Sequence, residues 1–316
     1  MTAALKVTEG RRRSPLPSLA RSAGRDPGSA FALGLLNPLV LLFLIGSGHN
    51  DALMVGLLVA GLSLARTGRP YVGTVLCALA GAVKVPGLIG VAAIALTCAG
   101  AAPSTRRRVS SLVKPALITA ATFEAVSLLF GVGWGWVGSL GASAEFPNWI
   151  TPTDLLAIVT SHLAGVLHVQ LSVASLYGPC HVVGLGVAVV IALWAFYRLP
   201  ELGILRATGV SLLAIVLSGP SVQPWYLVWG IAILAAAYGA RSASGMVLLT
   251  TVASFLGLVG LNLLVTEIGS LGTALELLLL AALAASAIAP IATYPMQRKS
   301  HSPWAVRIFR QLRIRR

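Results

Sequence analysis

The sequence predicts an all-α, polytopic integral membrane protein with about ten transmembrane helices. Of its 316 residues, 57% are hydrophobic and 10% are charged, whereas a soluble domain carries about 25% charged residues. Uncharged runs of roughly the length that a membrane-spanning helix needs recur along the chain. These runs are 27–50, 85–105, 155–197, 207–240, 242–266 and 277–297. The positive charges lie mostly between the runs, in short basic segments that are typical of cytoplasmic loops.

Charge divides the chain into three parts. Residues 1–28 form a basic cytoplasmic segment, residues 29–295 form the polytopic membrane domain, and residues 296–316 form a basic cytoplasmic tail. The formal net charge of +14 would suit nucleic-acid binding in another setting. Because the basic residues flank apolar runs, the positive-inside rule explains them, and we expect a lipid bilayer and no nucleic acid as the partner.

The individual spans follow from the alternation of basic inner loops with acidic or neutral outer loops. Two of them, 52–65 and 70–83, are short for a bilayer. Short or broken helices persist in a membrane where they line a cavity within the protein. The predicted spans, in chain order, are 29–46, 52–65, 70–83, 87–102, 115–132, 181–197, 207–221, 225–240, 243–265 and 271–292.

The stretch from about 133 to 176 is predicted to be an external loop followed by an interfacial or re-entrant helix. A full crossing by residues 155–175 would place Arg198 outside, against the charge rule. We therefore predict that the chain breaks at Gly178-Pro179 and that the next span starts after this break.

Lys84, in the sequence ALAGAVKVPGLIG, is the basic residue that this topology places on the outer side. A lysine ammonium in an apolar setting costs a few kcal/mol unless it is paired or reaches the interface. Pro86 interrupts the helix and frees backbone groups nearby. Two interpretations stay open: an anion site at the ends of two short helices, suited to a phosphate, and a lysine that extends to the headgroups.

The polar stretch GSGHND, residues 46–51, lies between two apolar runs. His49 or Asn50 could cap the next helix, and the Asp51 carboxylate suits a helix start. The same three side chains could instead contact a hydroxylated substrate or act in acid–base chemistry. A metal site is the weakest alternative, because one histidine and one aspartate do not complete a coordination shell.

The sequence SGPSVQPWYLVW, residues 218–229, combines an interrupted helix with aromatic side chains. Gln223, Trp225 and Tyr226 offer hydrogen bonds and ring faces, which suit a sugar. An aromatic belt at the membrane interface explains the same residues equally well.

Three motifs together resemble a known family: NPLVLLFLIGSGHNDALMVGLLVAGL (37–62), AVKVPGLIG (82–90) and SGPSVQPWYLVWG (218–230). The family is that of the actinobacterial polyprenol-phosphomannose-dependent α-1,6-mannosyltransferases, which are membrane glycosyltransferases of the GT-C type. The element PNWITP, 147–152, looks like the family's W-[IL]-S-x-P turn. The resemblance covers about 20 to 295 and keeps the order of the motifs.

This resemblance implies an inverting mannosyl transfer on the outer face of the plasma membrane. The donor would be polyprenyl phosphomannose, and the acceptor would be the α-1,6-mannan of lipomannan, lipoarabinomannan or a related glycolipid. Neither a cofactor nor a metal is implied. Lys84 would bind the donor phosphate. The other implied substrate-binding residues are His49, Asn50, Asp51, Trp149, Gln223, Trp225 and Tyr226.

One departure from the family pattern concerns the catalytic base. GT-C enzymes generally carry a catalytic carboxylate in their first external loop, and the stretch LPSLARSAGRDPGS near the start of this chain resembles an internal loop instead. We therefore expect the N-terminal spans to be missing and the catalytic residue to be unknown, with Asp51 as a weak candidate. A separate polypeptide could supply those helices, and the chain alone could be inactive.

Other functions remain open from the sequence. A transporter or flippase of polyprenyl-linked sugars would gain support if Glu124 and Glu276, which lie in apolar surroundings, faced a cavity. A GT-C transferase with another sugar, or a scaffold without catalytic activity, would fit the same motifs.

Overall fold

The computed structural model of the chain describes residues 14–100, 104–135 and 151–259. Within these ranges every regular element is helical and no strand occurs, which confirms the all-α class. The predicted span 271–292, the basic tail, Trp149 and Glu276 lie outside the described residues.

The α-helices of the described ranges are α1 (Pro15–Ser22), α2 (Pro27–Leu35), α3 (Asp51–Arg66), α4 (Pro70–Val83), α5 (Leu88–Ala99), α6 (Thr105–Phe130), α7 (Pro152–Val166), α8 (Val173–Tyr197), α9 (Leu199–Ser218), α10 (Val228–Tyr238) and α11 (Ala243–Val259). A π-helical turn, Val40–Ile45, and the 3-10 turns Val85–Gly87, Pro224–Leu227 and Gly239–Ser242 lie between them.

Several helices start at a short polar side chain that caps them. The carboxylate of Asp26 accepts hydrogen bonds from the hydroxyl and the backbone N–H of Ser29, and these bonds hold the pKa of Asp26 below its usual value. Ser104, Thr151 and Ser172 cap α6, α7 and α8 in the same manner.

Helix α10 lies at the centre of the bundle, since every residue from Val228 to Tyr238 is buried. Helices α2 and α9 pack along it, and α1 and α3 also contact it. Small residues allow close approach: a Cβ atom on Gly230 would lie 2.8 Å from the carbonyl oxygen of Gly209 in α9. The core therefore consists of backbones that pack closely, as is common in membrane helix bundles.

Charged side chains lie at the two ends of α3. At its C-terminal end, Arg66 donates a hydrogen bond to the hydroxyl of Ser22. Asp51 starts the helix at the other end, about 24 Å away for a helix of this length. The structure thus places Arg66 and the polar cluster around Asp51 at opposite ends of this helix.

Three described helices, α6, α8 and α9, are long and apolar enough to cross a bilayer. Four shorter apolar segments accompany them: Pro70–Val83, Val85–Ala99, Pro224–Tyr238 and Ala243–Ser254. Outward-facing apolar side chains, such as Leu129 at 78% exposure and Val182 at 69%, suit contact with lipid. These findings support a helical membrane protein, but they do not support the predicted count of about ten spans.

The first predicted span, 29–46, is not a continuous helix. It is interrupted around Pro38, which lacks a backbone N–H, and a π-helical turn follows. The buried Asn37 bridges the interruption, because its Nδ2 donates to the carbonyl of Leu33 at 2.9 Å and its Oδ1 accepts from the N–H of Val40 at 3.1 Å.

The predicted break at Gly178-Pro179 is wrong, because α8 begins at Val173 and continues through Pro179 to Tyr197. The interruption lies at 167–172 instead. There His168 adopts a positive φ of 59°, and the hydroxyl of Ser172 accepts a hydrogen bond that starts α8.

Candidate functional site

Segments that are far apart in the sequence meet beside Lys84. The Lys84 Nζ atom lies 2.9 Å from Oδ1 of Asp51, which starts α3 thirty-three residues earlier. The indole Nε1 of Trp229, in the first turn of α10, donates to the same carboxylate oxygen at 2.6 Å. The three motifs that carry the family resemblance therefore form one cluster.

Two aromatic rings face the Lys84 ammonium. Its Nζ atom lies 3.9 Å from the ring centroid of Tyr226 and 5.0 Å from that of Trp229. The two rings are stacked, with centroids 4.5 Å apart. Cation–π attraction and the carboxylate together hold the ammonium in place.

The local sequence determines the turn that presents Lys84. Helix α4 ends one residue earlier, Lys84 is extended with φ −158° and ψ 126°, and Pro86 is the middle residue of the 3-10 turn Val85–Gly87 that follows. A Cβ atom on Gly87 would lie 2.5 Å from the backbone carbonyl carbon of Ala80. Glycine thus lets the turn fold back against the last turn of α4.

Asp51 is 1% exposed, whereas the side chain of Lys84 is 23% exposed. A buried carboxylate needs a partner, and the ammonium with the indole N–H supplies two hydrogen bonds. From the sequence, we expected either a bound anion or the headgroup region to accommodate the charge of Lys84. The structure shows that the chain supplies a carboxylate of its own.

Lys84 lines a cavity of about 400 Å³. Most of its wall is apolar, with hydroxyl groups contributed by Ser127, Ser221 and Tyr226. Val126 also belongs to the wall. A volume of this order suits a small ligand or the head group of a larger one.

An apolar groove of about 440 Å³ lies beside this cavity, between α4 and α6. Its walls are Val75, Leu79, Ile118, Ala121, Thr122, Ala125, Val126 and Leu129. Thr122 is the polar residue of this wall, and its hydroxyl donates a hydrogen bond to the backbone carbonyl of Ile118. The groove is therefore compatible with an apolar ligand, because this hydroxyl already has a partner. Because Val126 lines both spaces, the groove and the cavity are neighbours.

Two other predicted residues pack against each other next to the cavity. The ring of His49 stacks on Trp225 with centroids 4.4 Å apart, and Phe43 stacks on Trp225 at 5.3 Å. Trp225 in turn meets Tyr226 edge to face at 6.1 Å. His49 and Trp225 are not among the residues that line the cavity.

The remaining predicted residues are placed differently. Asn50 is exposed and makes no capping side-chain bond to α3. Gln223 is buried and does not line the cavity. Its backbone carbonyl accepts a hydrogen bond from the N–H of Tyr226 at 2.9 Å. Trp149 lies outside the described residues. Substrate contact by these three residues stays a prediction.

Comparison with known proteins identifies the family of this chain. A family model described as "Alpha-(1->6)-mannopyranosyltransferase, N-terminal domain" matches residues 14–100, and one described as "MptB C-terminal domain" matches residues 152–293. The chain belongs to the α-(1→6)-mannopyranosyltransferase family. The Lys84 cluster joins the two matched parts, since Lys84 and Asp51 lie in the first and Trp229 lies in the second.

Curated relatives carry the same family name. The chain is 33% identical over 240 residues to alpha-(1->6)-mannopyranosyltransferase A of Mycobacterium tuberculosis, which covers 72% of this chain and 45% of the relative. It is 30% identical over 240 residues to alpha-(1->6)-mannopyranosyltransferase B of Corynebacterium glutamicum, covering 69% and 40%. The chain thus spans about half the length of these relatives or less. No solved structure matches.

Sequence reasoning missed two features of this mannopyranosyltransferase-family chain. It did not predict the hydrogen bond between Trp229 and Asp51. It also missed a pair formed by Asp154 and His181, whose Oδ1 and Nε2 atoms lie 2.7 Å apart. The polar side chain of His181 within an apolar run could have indicated a buried partner. The predicted break placed His181 at one end of a span instead, where a histidine needs no partner.

Two alternatives receive no support from the described residues. Glu124 lines neither the cavity nor the groove, so the argument for a transporter based on this residue gains nothing. In the ranges that the structure describes, no group of three or more histidine, cysteine or acidic side chains is placed to hold a metal ion.

Proposed function

We propose that this chain forms the donor site of a GT-C membrane glycosyltransferase on the outer face of the plasma membrane. The reaction moves mannose from polyprenyl phosphomannose to an α-1,6-mannan acceptor in lipomannan, lipoarabinomannan or a related glycolipid. Attack by an acceptor hydroxyl inverts the configuration at the anomeric carbon. The names of the relatives support mannosyl transfer, and the apolar helices support a membrane setting.

The observation that carries the proposal is the junction of a cation with an apolar groove. A polyprenyl phosphate has an anionic head and a long apolar tail. The cavity offers the Lys84 ammonium to the head, and the neighbouring groove offers a surface of aliphatic side chains to the first part of the tail. Such a pairing suits an amphipathic lipid phosphate better than a free sugar.

Lys84 binds the donor phosphate in this proposal. An ammonium has three N–H donors, and Asp51 accepts one of them. The remaining donors serve phosphate oxygens, and charge-assisted hydrogen bonds of this kind contribute about 1.5–3 kcal/mol. Tyr226 and Trp229 keep the ammonium positioned and border the site of the sugar.

Asp51 acts as the counter-ion of Lys84 rather than as the catalytic base. Its Oδ1 atom already accepts hydrogen bonds from Lys84 and Trp229, which suits a fixed carboxylate better than a proton acceptor. The base that deprotonates the acceptor is then another group, and a separate polypeptide that completes the enzyme is one source of it.

Donor binding tests the proposal separately from transfer. The purified chain in lipid nanodiscs is titrated with polyprenyl phosphomannose that carries radiolabelled mannose. We expect Lys84→Ala to weaken binding by about tenfold or more, from the loss of a charge-assisted hydrogen bond. Lys114→Ala is the matched control, because Lys114 also lies over a tyrosine, Tyr71 at 3.8 Å, but is exposed and outside the cavity.

Transfer is measured in membranes with a short α-1,6-mannoside acceptor, for the chain and for a version extended upstream to the next in-frame start. We expect labelled product from the mannose donor and none from the corresponding glucose donor. Equal donor binding by Lys84→Ala and the wild type would refute the donor site. Product from another sugar, or donor movement across the bilayer without product, would favour the alternative functions.

A further inference from the structure

An aspartate–histidine pair lies between α7 and α8, outside the Lys84 cluster. The Asp154 Oδ1 atom is 2.7 Å from Nε2 of His181, and its other oxygen accepts the N–H of Thr151 at 3.0 Å. Asp154 is 7% exposed. Because both oxygens are held, the buried carboxylate has a fixed position relative to the imidazole. Paired ionisable groups in a membrane-type helix bundle are costly, and they commonly mark a functional site.

The pair is connected to the wall of the Lys84 cavity at two points. The hydroxyl of Thr153, next to Asp154, lies 3.4 Å from the carbonyl oxygen of Gly219, which lines the cavity. Leu185 also lines the cavity, and it lies one helical turn after His181 on the same face of α8. The wall of the cavity and the aspartate–histidine pair therefore lie on neighbouring turns of α8.

The carboxylate determines what the imidazole offers to a ligand. A histidine nitrogen that faces a carboxylate donates its proton to it, so the other ring nitrogen is left to hydrogen-bond with a ligand. Here Nε2 faces Asp154, and among the described residues no partner contacts Nδ1 of His181. The side chain is 19% exposed, so a hydroxyl group, which can both donate and accept, can hydrogen-bond to Nδ1.

The surroundings suit a sugar rather than an anion. The ring of Tyr177 stacks on His181 with centroids 6.1 Å apart, and Tyr177 is 39% exposed. An aromatic ring beside hydrogen-bonding groups suits a pyranose, which has an apolar face and hydroxyl edges. The charged residues of the packed helix α9, Glu201 and Arg206, lie in its N-terminal half, away from the Ser218 end that contacts α8 near the pair.

We infer that His181, held by Asp154 and flanked by Tyr177, is a binding site for a hydroxyl group of the acceptor sugar. The site lies next to the donor cavity, so it holds the acceptor within reach of the donor head group. This inference rests on the proposed function for its choice of sugar, but the binding that it predicts does not require transfer.

The test is saturation-transfer-difference NMR with α-1,6-mannobiose and the purified chain in nanodiscs. We expect the wild type to bind, and we expect His181→Gln to weaken binding by about tenfold, as for the loss of a hydrogen bond to a partly buried group. Tyr177→Ala should also weaken binding, and it removes a half-exposed ring without disturbing the Asp154 pair. His162→Gln, an exposed histidine on α7, is the matched control and should bind as the wild type does.

Each outcome decides the inference. If His181→Gln and Tyr177→Ala both bind mannobiose as the wild type does, or if the wild type does not bind it, the inference is wrong. A mannobiose signal that falls only in these variants, while donor binding at Lys84 is unchanged, supports it. Donor binding and mannobiose binding without transfer, by the chain and by the version extended upstream, would contradict the proposed reaction and leave the sugar site standing.

Discussion

The ion pair between Lys84 and Asp51 yields a quantitative prediction about stability. At a separation of 2.9 Å and an effective dielectric constant of about 20, the attraction is about 6 kcal/mol before desolvation is subtracted. Removal of one partner of a buried pair costs about 3–5 kcal/mol, and partial exposure of Lys84 lowers this to about 2–3 kcal/mol here. We therefore expect Asp51→Asn to destabilise the chain by that amount.

A double-mutant cycle isolates the pair. The variants are Asp51→Asn, Lys84→Met and their combination, and the free energy of unfolding is measured by titration with a denaturing detergent. A thiol-reactive dye reports unfolding, because Cys77 is 0% exposed and Cys180 is 7% exposed in the folded chain. We expect a double variant close to the wild type, since an uncharged pair needs no counter-ion. The coupling energy should then equal the summed costs of the two single variants, and so exceed the about 2–3 kcal/mol expected for Asp51→Asn alone.

The exposed pair of Arg198 and Glu201 is the control for this cycle. These side chains are 33% and 43% exposed, so the coupling between them should be about 0.3–0.5 kcal/mol. A coupling between Asp51 and Lys84 no larger than that of the control pair would refute the reasoning. It would mean that Asp51 and Lys84 do not depend on each other in the folded chain.

Two further predictions concern packing and capping. Gly61→Ala should destabilise the chain by about 1–3 kcal/mol, because its Cβ would lie 2.6 Å from Sγ of Cys77. Gly56→Ala is the control: its Cβ meets no neighbour within 4 Å, so it should stabilise the chain by up to about 1 kcal/mol. Equal effects of the two variants in the same detergent titration would contradict this prediction. Hydrogen bonds from Ser29 lower the pKa of the capping Asp26 from 3.8, so the capping contribution is complete above pH 3.8 and is lost as pH falls through the lowered pKa. Asp26→Ala should accordingly speed amide exchange of Ser29 at neutral pH, and an unchanged rate would argue against the cap.

The sequence alone was sufficient to predict the class of fold and the positions of several helix interruptions. Long apolar runs predicted helices, and Pro86 predicted the turn that presents Lys84. The start of α8 was not predictable in the same way. Pro179 is a stronger local signal than Ser172, but the chain tolerates the proline inside the helix. The loop before α8 is held by a tertiary contact, since the hydroxyl of Ser161 donates to the carbonyl of Leu171.

The candidate site was predicted as a set of residues and not as a set of contacts. The motifs indicated that Lys84, Asp51 and Tyr226 lie on one side of the membrane. Their pairing depends on the packing of α3, α4 and α10, which brings Trp229 to Asp51 across 178 residues of sequence. Periodicity and charge carry no information about which helices become neighbours, so the counter-ion of Lys84 and the partner of His181 were not predicted.

The counter-ion has a consequence for the two anions that the donor site would meet. In the proposed reaction the donor is a phosphodiester with one negative charge, whereas the polyprenyl phosphate product is a monoester with about 1.5 to 2 negative charges at neutral pH. Lys84 attracts the product more strongly than the donor, and Asp51 repels it more strongly by a similar factor. The pair thus offsets a preference for product that a lone lysine would have.

Asp51→Asn should therefore increase affinity for the product more than affinity for the donor. The measurement is competition between polyprenyl phosphate and radiolabelled donor in nanodiscs, for the wild type and for Asp51→Asn. We expect the ratio of product affinity to donor affinity to rise several-fold in the variant. The product carries more negative charge than the donor, so it gains more when the repulsion by Asp51 is removed. Lys84→Met with Asp51→Asn removes both charges and should return the ratio to near the wild-type value. An unchanged ratio in Asp51→Asn would mean that the phosphate binds too far from Asp51 for this carboxylate to influence product release.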